Sequence, residues 1–212
     1  MEGTLRTLSS AGVQRKRADL ALVKVLRIMF TSKAGQAKKA MFDRPDSPHT
    51  ISLIGMPGAG KSTVGVILAK LTGLRFVDTD IEIQQAQSAT LQELLEEAGY
   101  LHLRDIEQQV VLATDLNRAV ISTGGSVVYG SAAMNRLKRA GPVVYLECTI
   151  EQLQHRVASA PNRGIASRLG QSFADIYAER TPLYAQYADV TVDASLGTAD
   201  QVAASILAAL KT

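Results

Sequence analysis

Gly55-Met-Pro-Gly-Ala-Gly-Lys-Ser-Thr63 is a complete phosphate-binding loop, and it stands between an apolar run at residues 50–54 and a helical pattern at residues 61–72. This order of strand, loop and helix is the context that the Walker A pattern requires. A dinucleotide fingerprint would need Gly or Ala where Thr63 stands. Glycines in such a loop let backbone N–H groups converge on phosphate oxygens, while Lys61 reaches the β- and γ-phosphates and Ser62 ligates Mg²⁺. We therefore predict nucleotide binding by Gly58, Ala59, Gly60, Lys61, Ser62 and Thr63, with Lys61 also a candidate catalytic residue.

Outward from the loop, short β-branched runs alternate with longer helical patterns from Thr50 onward. This alternation is typical of a parallel sheet that helices cover on both faces. The predicted strands are residues 50–54, 75–78, 119–122, 142–147 and 189–193. The predicted helices are residues 61–72, 90–97, 101–116, 132–140, 150–158, 173–187 and 199–210. The sequence thus predicts one α/β domain over residues 50–212, a three-layer α/β/α structure with a five-stranded parallel sheet.

Charge is distributed unevenly along the chain, which has a net charge of +3. Residues 1–49 carry ten Lys or Arg against four Asp or Glu, so the remainder is net acidic. Because basic and aromatic residues do not interleave there, we expect no nucleic-acid partner for the main domain. No apolar stretch approaches the roughly 20 residues of a membrane span. The lone Cys148 lies in a strand-like run typical of a buried thiol, and we expect a monomer in the reducing cytoplasm.

The basic N-terminal extension, residues 1–49, allows two interpretations. Residues 18–30 could form an amphipathic helix with a basic face, which would suit an organelle-targeting segment. The extension could also be dispensable, because Met41 lies nine residues before the first predicted strand. We predict that a chain beginning at Met41 folds and keeps its activity. A shortened chain with a normal circular dichroism spectrum but no activity would contradict this prediction.

Two carboxylates, Asp78 and Asp80, follow the second predicted strand. They stand one residue apart at the carboxyl edge of the sheet, where ligands bind in open α/β sheets. Asp78 could hold Mg²⁺ through water, and Asp80 could orient and deprotonate an attacking hydroxyl. The alternative is that Asp80 is the N-cap of a helix that begins at Ile81. Other phosphate-loop classes fit less well, since the sequence lacks the Asn-Lys-x-Asp guanine reader of GTP switches.

Five motifs now occur in the order and approximate spacing of shikimate kinase: residues 55–62, 76–80, 104–107, 122–125 and 179–184. The resemblance extends from residue 50 to about residue 210. It implies a nucleoside-monophosphate-kinase-like fold and the ATP-dependent phosphorylation of a hydroxyl of shikimate, with Mg²⁺ accompanying ATP. It also implies that Asp80 holds the ring hydroxyls of the substrate, that Arg104 and Arg180 bind its carboxylate, and that Gly124 and Gly125 let the backbone approach it.

Residues 159–172 form a polar stretch punctuated by Gly and Pro, which suggests either a lid over the site or a solvated linker. Arg163 stands where the family has an arginine that closes on the ATP phosphates. The resemblance therefore implies that Arg163 binds nucleotide and stabilises the charge on the transferred phosphoryl group. Arg168 is a second candidate for this role.

Two departures from the family pattern concern the substrate. The usual glycine triplet is Gly124-Gly125-Ser126 here, and the lid contains Asn162-Arg-Gly-Ile165. The Ser126 side chain adds volume and a hydroxyl to a small pocket. Glu107 could orient Arg104, or the two could form an ordinary surface pair on one helix. Two alternatives to the phosphorylation of shikimate therefore stay open. The protein could be a kinase for another small hydroxylated carboxylic acid, or an inactive nucleotide-binding paralogue.

Overall fold

The computed structural model of the protein describes residues 50–159, 164–168, 170–195 and 197–210. The predictions for residues 1–49 and for Arg163 lie outside the described residues. In chain order the elements are β1 (Ile51–Ile54), α1 (Lys61–Thr72), β2 (Arg75–Asp78), α2 (Thr79–Gln87), α3 (Leu91–Ala113), β3 (Ala119–Ser122), a 3₁₀ turn (Val127–Tyr129), α4 (Ser131–Ala140), β4 (Val143–Glu147), α5 (Ile150–Ala158), α6 (Phe173–Tyr187), β5 (Val190–Asp193) and α7 (Ala199–Ala209).

The five strands form one parallel sheet in the order β2-β3-β1-β4-β5. Every residue of β1 and β3 is buried. Because successive side chains of a strand point to opposite faces, both faces of the sheet are covered. The predicted three-layer α/β/α architecture is confirmed, and each strand begins within one residue of its predicted start.

The hydrophobic core lies against the central strands, with Leu53, Leu68, Val120, Leu137 and Ile206 all fully buried. Cys148 is buried and free, as predicted. Among the described residues, no helix has the length and apolar character needed to cross a membrane.

Strand order places the ends of three strands side by side. Asp78 at the end of β2 pairs in register with Ser122 at the end of β3, and Ser122 also pairs with Leu53 of β1. The loops that follow these strands therefore leave the same edge of the sheet. In the sheet, β2 and β3 lie on one side of β1, whereas β4 and β5 lie on the other. The connections that leave β1 and its neighbours therefore diverge there, and this divergence opens a crevice at the carboxyl edge of the sheet.

The predicted break between the helices of residues 90–97 and 101–116 is confirmed, because α3 consists of two helical segments that meet at Gly99, whose φ of 79° is not helical. The second segment ends at Ala113 rather than at residue 116. The helical predictions missed two other elements. The helix α2 was not assigned, because it buries only Thr79 and Ile83 and so shows little apolar periodicity. The 3₁₀ turn was also missed, since such short turns have no sequence period.

Candidate active site

The phosphate-binding loop enters α1 through Gly60, which has a φ of 90° and is the N-cap of that helix. A left-handed φ suits glycine because it has no Cβ to clash with the backbone. Gly60 also has no side chain to accept bonds from the N–H groups of the first helical turn. These N–H groups can therefore face an anion, as the sequence predicts.

Lys61 is buried beside the loop, where its ammonium donates hydrogen bonds to Gly55 O at 2.8 Å and to Met56 O at 2.9 Å. Burial lowers the pKa of Lys61 to about 8, although Asp80, Asp78 and then Glu107 oppose the shift by attraction. The ammonium is thus poorly solvated and close to a carboxylate cluster. Phosphate groups in the loop would supply the negative charge that such a cation needs.

Asp78 is the N-cap of α2, and its Oδ1 accepts a hydrogen bond from the Asp80 N–H at 3.0 Å. The alternative that Asp80 caps this helix is therefore wrong, and Asp80 lies in the first turn instead. The Ser62 and Ser122 hydroxyl oxygens are 3.3 Å apart. Ser62 and Asp78 both line one cavity and offer hard oxygen atoms, the donor type that Mg²⁺ prefers alongside substrate phosphates. The residues present therefore fit a magnesium ion.

A cavity of about 680 Å³ opens along the carboxyl edge of the sheet. Its walls include the phosphate loop, both carboxylates of the β2 end and the backbone after β3. Of the sequence-predicted residues within the described parts of the chain, those that line it are Gly58, Ala59, Gly60, Lys61, Ser62, Thr63, Asp78, Asp80, Gly124, Gly125 and Arg180. The structure thus brings residues from four separate motifs to one cavity, whose walls do not include Arg104.

Arg104 and Arg180 meet at the backbone carbonyl of Ala166. The Arg180 Nη2 donates to it at 2.5 Å and the Arg104 Nη2 at 3.3 Å. Arg180 is only 1% exposed, and the Nε atoms of both arginines are buried without a hydrogen-bond partner among the described residues. A buried donor that lacks a partner costs free energy, so two such donors on neighbouring guanidinium groups suit an anionic ligand.

Glu107 is a buried carboxylate that the sequence left without a firm role. Ser126 donates a hydrogen bond from its hydroxyl to Glu107 Oε2, whereas Arg104 makes no bond to Glu107 among the described residues. The hydroxyl of Ser126 is therefore held by the protein, and neither suggested pairing of Glu107 with Arg104 is found. A Cβ at position 124 would collide with Glu107 and approach Asp80 Oδ1 to 2.8 Å, so glycine is required there by protein side chains.

Burial, reinforced by Asp80, raises the pKa of Glu107 to about 7, although Ser126, Arg180 and Lys61 oppose the shift. Since the folded protein holds this proton more tightly than the unfolded chain, the stabilisation is complete below about pH 4.5 and is lost as the pH rises through about 7. Glu107→Gln stays neutral. We therefore expect the unfolding free energy of the variant, measured relative to that of the parent, to rise by about 2.5 kcal/mol as the pH is raised from about 5 to about 8.

Urea unfolding curves of both proteins at the two pH values test this expectation. Glu97→Gln is the matched control, because Glu97 lies on the same helix and is exposed. It should leave the pH dependence of unfolding as it is in the parent. Parallel pH profiles for the parent and Glu107→Gln would contradict the expectation.

The described part of residues 159–172 contacts the site. Gly164, Ile165 and Ala166 line the cavity, and Ala166 is 5% exposed. These contacts favour the lid interpretation over a solvated linker. Arg168 is exposed and is not among the lining residues, while Arg163 lies outside the described residues.

Arg156 is a lining residue that sequence reasoning missed. Its Nη1 lies 3.4 Å from Gly58 O and its Nη2 lies 3.2 Å from Ala194 O. It therefore joins the phosphate loop to the segment after β5 at one end of the cavity. Within the helical pattern of residues 150–158 it could not be told from an ordinary surface arginine.

Comparison with known proteins identifies one family. The sequence model described as shikimate kinase matches residues 57–211. Shikimate kinase 2 of Pectobacterium carotovorum is 33% identical over 168 residues, which cover 77% of this chain and 96% of that protein. Shikimate kinase of Thiobacillus denitrificans is 37% identical over 145 residues, covering 66% of this chain and 79% of the relative.

A solved structure, shikimate kinase from Acinetobacter baumannii in complex with shikimate, superposes with a TM-score of 0.70. It is 32% identical, and the match covers 82% of this chain and 97% of that one. Both the sequence and the fold point to the same assignment. With a family match over most of its length and relatives aligned over most of theirs, this chain belongs to the shikimate kinase family.

Proposed function

We propose that the protein transfers the γ-phosphoryl group of ATP to a hydroxyl of shikimate, producing shikimate 3-phosphate and ADP. One observation carries the proposal: a phosphate-binding loop and a buried arginine with an unpartnered Nε line the same cavity. The loop suits the triphosphate, and the arginine suits a small carboxylate. The carboxylates of Asp78, Asp80 and Glu107 belong to residues that line the same cavity, and an acceptor hydroxyl would meet the phosphoryl group beside them.

At the nucleotide end, the backbone N–H groups of residues 58–63 and the Lys61 ammonium would bind the phosphates. Ser62 and Asp78 would hold Mg²⁺, which neutralises phosphate charge when it is bound. Arg163 is proposed to stabilise the charge that develops on the transferred group.

At the acceptor end, Arg104 and Arg180 would bind the carboxylate while Asp80 holds the ring hydroxyls. Asp80 orients the attacking hydroxyl and accepts its proton. The hydroxyl oxygen forms a bond to the γ-phosphorus, the bond from that phosphorus to the β–γ bridging oxygen breaks, and ADP leaves with the electron pair. Gly124 and Gly125 form the backbone wall beside this reaction, and residues 164–166 help to exclude water from it.

A coupled assay of ADP release tests the proposal. Shikimate, quinate and related hydroxylated acids would be compared with and without Mg²⁺. We expect turnover with shikimate that depends on Mg²⁺. If another acid is phosphorylated and shikimate is not, the acceptor assignment is wrong. If none of the acids causes ADP release, the protein is better explained as an inactive nucleotide-binding paralogue.

We further propose that residues 1–40 are not needed for catalysis and that the enzyme works as a cytoplasmic monomer. The main support for the first point is that the family match begins at residue 57. The chain that begins at Met41 tests the first point directly. Sedimentation of the full chain tests the second.

A further inference from the structure

Tyr129 lies close to both arginines at the acceptor end of the site. Its ring centroid is 3.6 Å from the Cζ of Arg104 and 5.5 Å from the Cζ of Arg180. Tyr100 also faces Arg104, at 5.0 Å. A tyrosine at this position belongs to none of the motifs that carry the family resemblance, so sequence reasoning did not single it out.

Tyr129 is held by hydrogen bonds from its hydroxyl and from its backbone N–H. Its hydroxyl donates a hydrogen bond to Glu179 Oε1 at 2.6 Å, and Glu179 in turn accepts one from Gln171 at 2.7 Å. Its backbone N–H donates to Ser126 O at 3.0 Å, which is the hydrogen bond that closes the 3₁₀ turn. The ring therefore has a defined position relative to the cavity wall.

A ring in this position stabilises the two guanidinium groups electrostatically. Arg104 and Arg180 bring two like charges together, and burial, together with the charge of Arg180, lowers the pKa of Arg104. The face of an aromatic ring carries negative charge density and attracts a guanidinium group. Tyr129 thus offsets part of the repulsion between the two cations, while their Nε–H groups have no hydrogen-bond partner among the described residues.

A purely structural role explains the position less well. Tyr129 is only half-buried and belongs to neither of the hydrophobic clusters found among the described residues. Its contacts are instead with charged groups: two guanidinium groups and the carboxylate of Glu179. The ring therefore contributes more to the arrangement of the arginines than to core packing.

We infer that Tyr129 is a positioning residue, which holds the Arg104 and Arg180 guanidinium groups in the orientation that binds the carboxylate of the acceptor. This inference rests on the proposed function, because it takes the acceptor carboxylate as the ligand of the two arginines. Tyr129 acts through the arginines and need not contact the acceptor.

The test uses full-length Tyr129→Leu and Tyr129→Phe variants in steady-state kinetics. Leucine removes the ring, so we expect the KM for shikimate to rise about tenfold, the kcat to change less than about threefold and the KM for ATP to stay constant. Phenylalanine keeps the ring and loses the contacts of the hydroxyl with Glu179 and Arg180, so its KM for shikimate should stay within about threefold of the parent if the ring is what positions the arginines. Tyr187→Leu is a control at a partly buried tyrosine that packs against the hydrophobic core.

The carboxamide analogue of shikimate distinguishes positioning from general damage. If Tyr129 orients the arginines toward a carboxylate, Tyr129→Leu should lower kcat/KM for the acid about tenfold more than for the amide. Equal losses for the acid and the amide, or an unchanged KM, would overturn the inference. Should the leucine variant fail to fold, Tyr129→Met removes the ring with a similar volume and is judged by the same ratio.

Arg180→Ala, measured in parallel, separates failure of this inference from failure of the proposed function. If Arg180→Ala loses affinity for the acid but Tyr129→Leu does not, only the role of Tyr129 is wrong. If neither variant affects the acid, the carboxylate-binding assignment itself is wrong.

Discussion

Asp80→Asn is expected to lower kcat for phosphoryl transfer by about 10²- to 10⁴-fold, the range by which general acid–base catalysis accelerates reactions. Asp80 lines the cavity and lies in the first turn of α2 rather than at its cap. Asparagine has nearly the same shape and can still accept a hydrogen bond, but it cannot take the proton of the attacking hydroxyl. Because the phosphate loop is unchanged, the affinity for ADP should stay within about threefold of the parent.

Steady-state kinetics and a calorimetric titration with ADP measure the two quantities separately. Asp105→Asn makes the same chemical change at an exposed position of α3 and should leave both of them unchanged. An unaltered kcat in Asp80→Asn would contradict the role of Asp80 as base. A parallel loss of ADP affinity would instead show that Asp80 supports the nucleotide site.

Arg180→Ala is expected to raise the KM for shikimate by about 10²-fold or more. Arg180 is 1% exposed, and its Nε has no partner among the described residues. In Arg180→Ala, the acceptor carboxylate would lose a charge-assisted hydrogen bond to a buried guanidinium group. Such a loss is large because the charge of the ligand stays buried without its partner. Arg104 is more exposed and makes a longer bond to Ala166, so Arg104→Ala should have the smaller effect.

Kinetics at saturating ATP give the KM, and circular dichroism shows whether the variant is folded. Arg180→Lys keeps the charge but loses the planar fork, so its KM should lie between those of the parent and the alanine variant. Arg139→Ala, at an exposed position of α4, is the matched control. A folded Arg180→Ala enzyme with the KM of the parent would exclude Arg180 from binding the acceptor.

Local patterns predicted the parts of this protein that depend on neighbouring residues. The phosphate loop was recognisable because glycine spacing, Lys61 and Ser62 are contiguous with a strand and a helix. Strands were placed within one residue because buried parallel strands are short apolar runs bounded by polar turns. The helix α2 was missed because only one of its faces is buried, and only over two residues.

Sequence by itself determined the α/β class, the phosphate loop and, through the order of its motifs, the family resemblance. Only the tertiary structure decided which distant side chains meet. Strand β3 lies between β2 and β1, which brings Ser126 to the carboxylate of Glu107, a residue 19 positions away. Chain folding likewise places Tyr129 against both arginines. Such contacts depend on strand order and helix docking, which no local period of the sequence encodes.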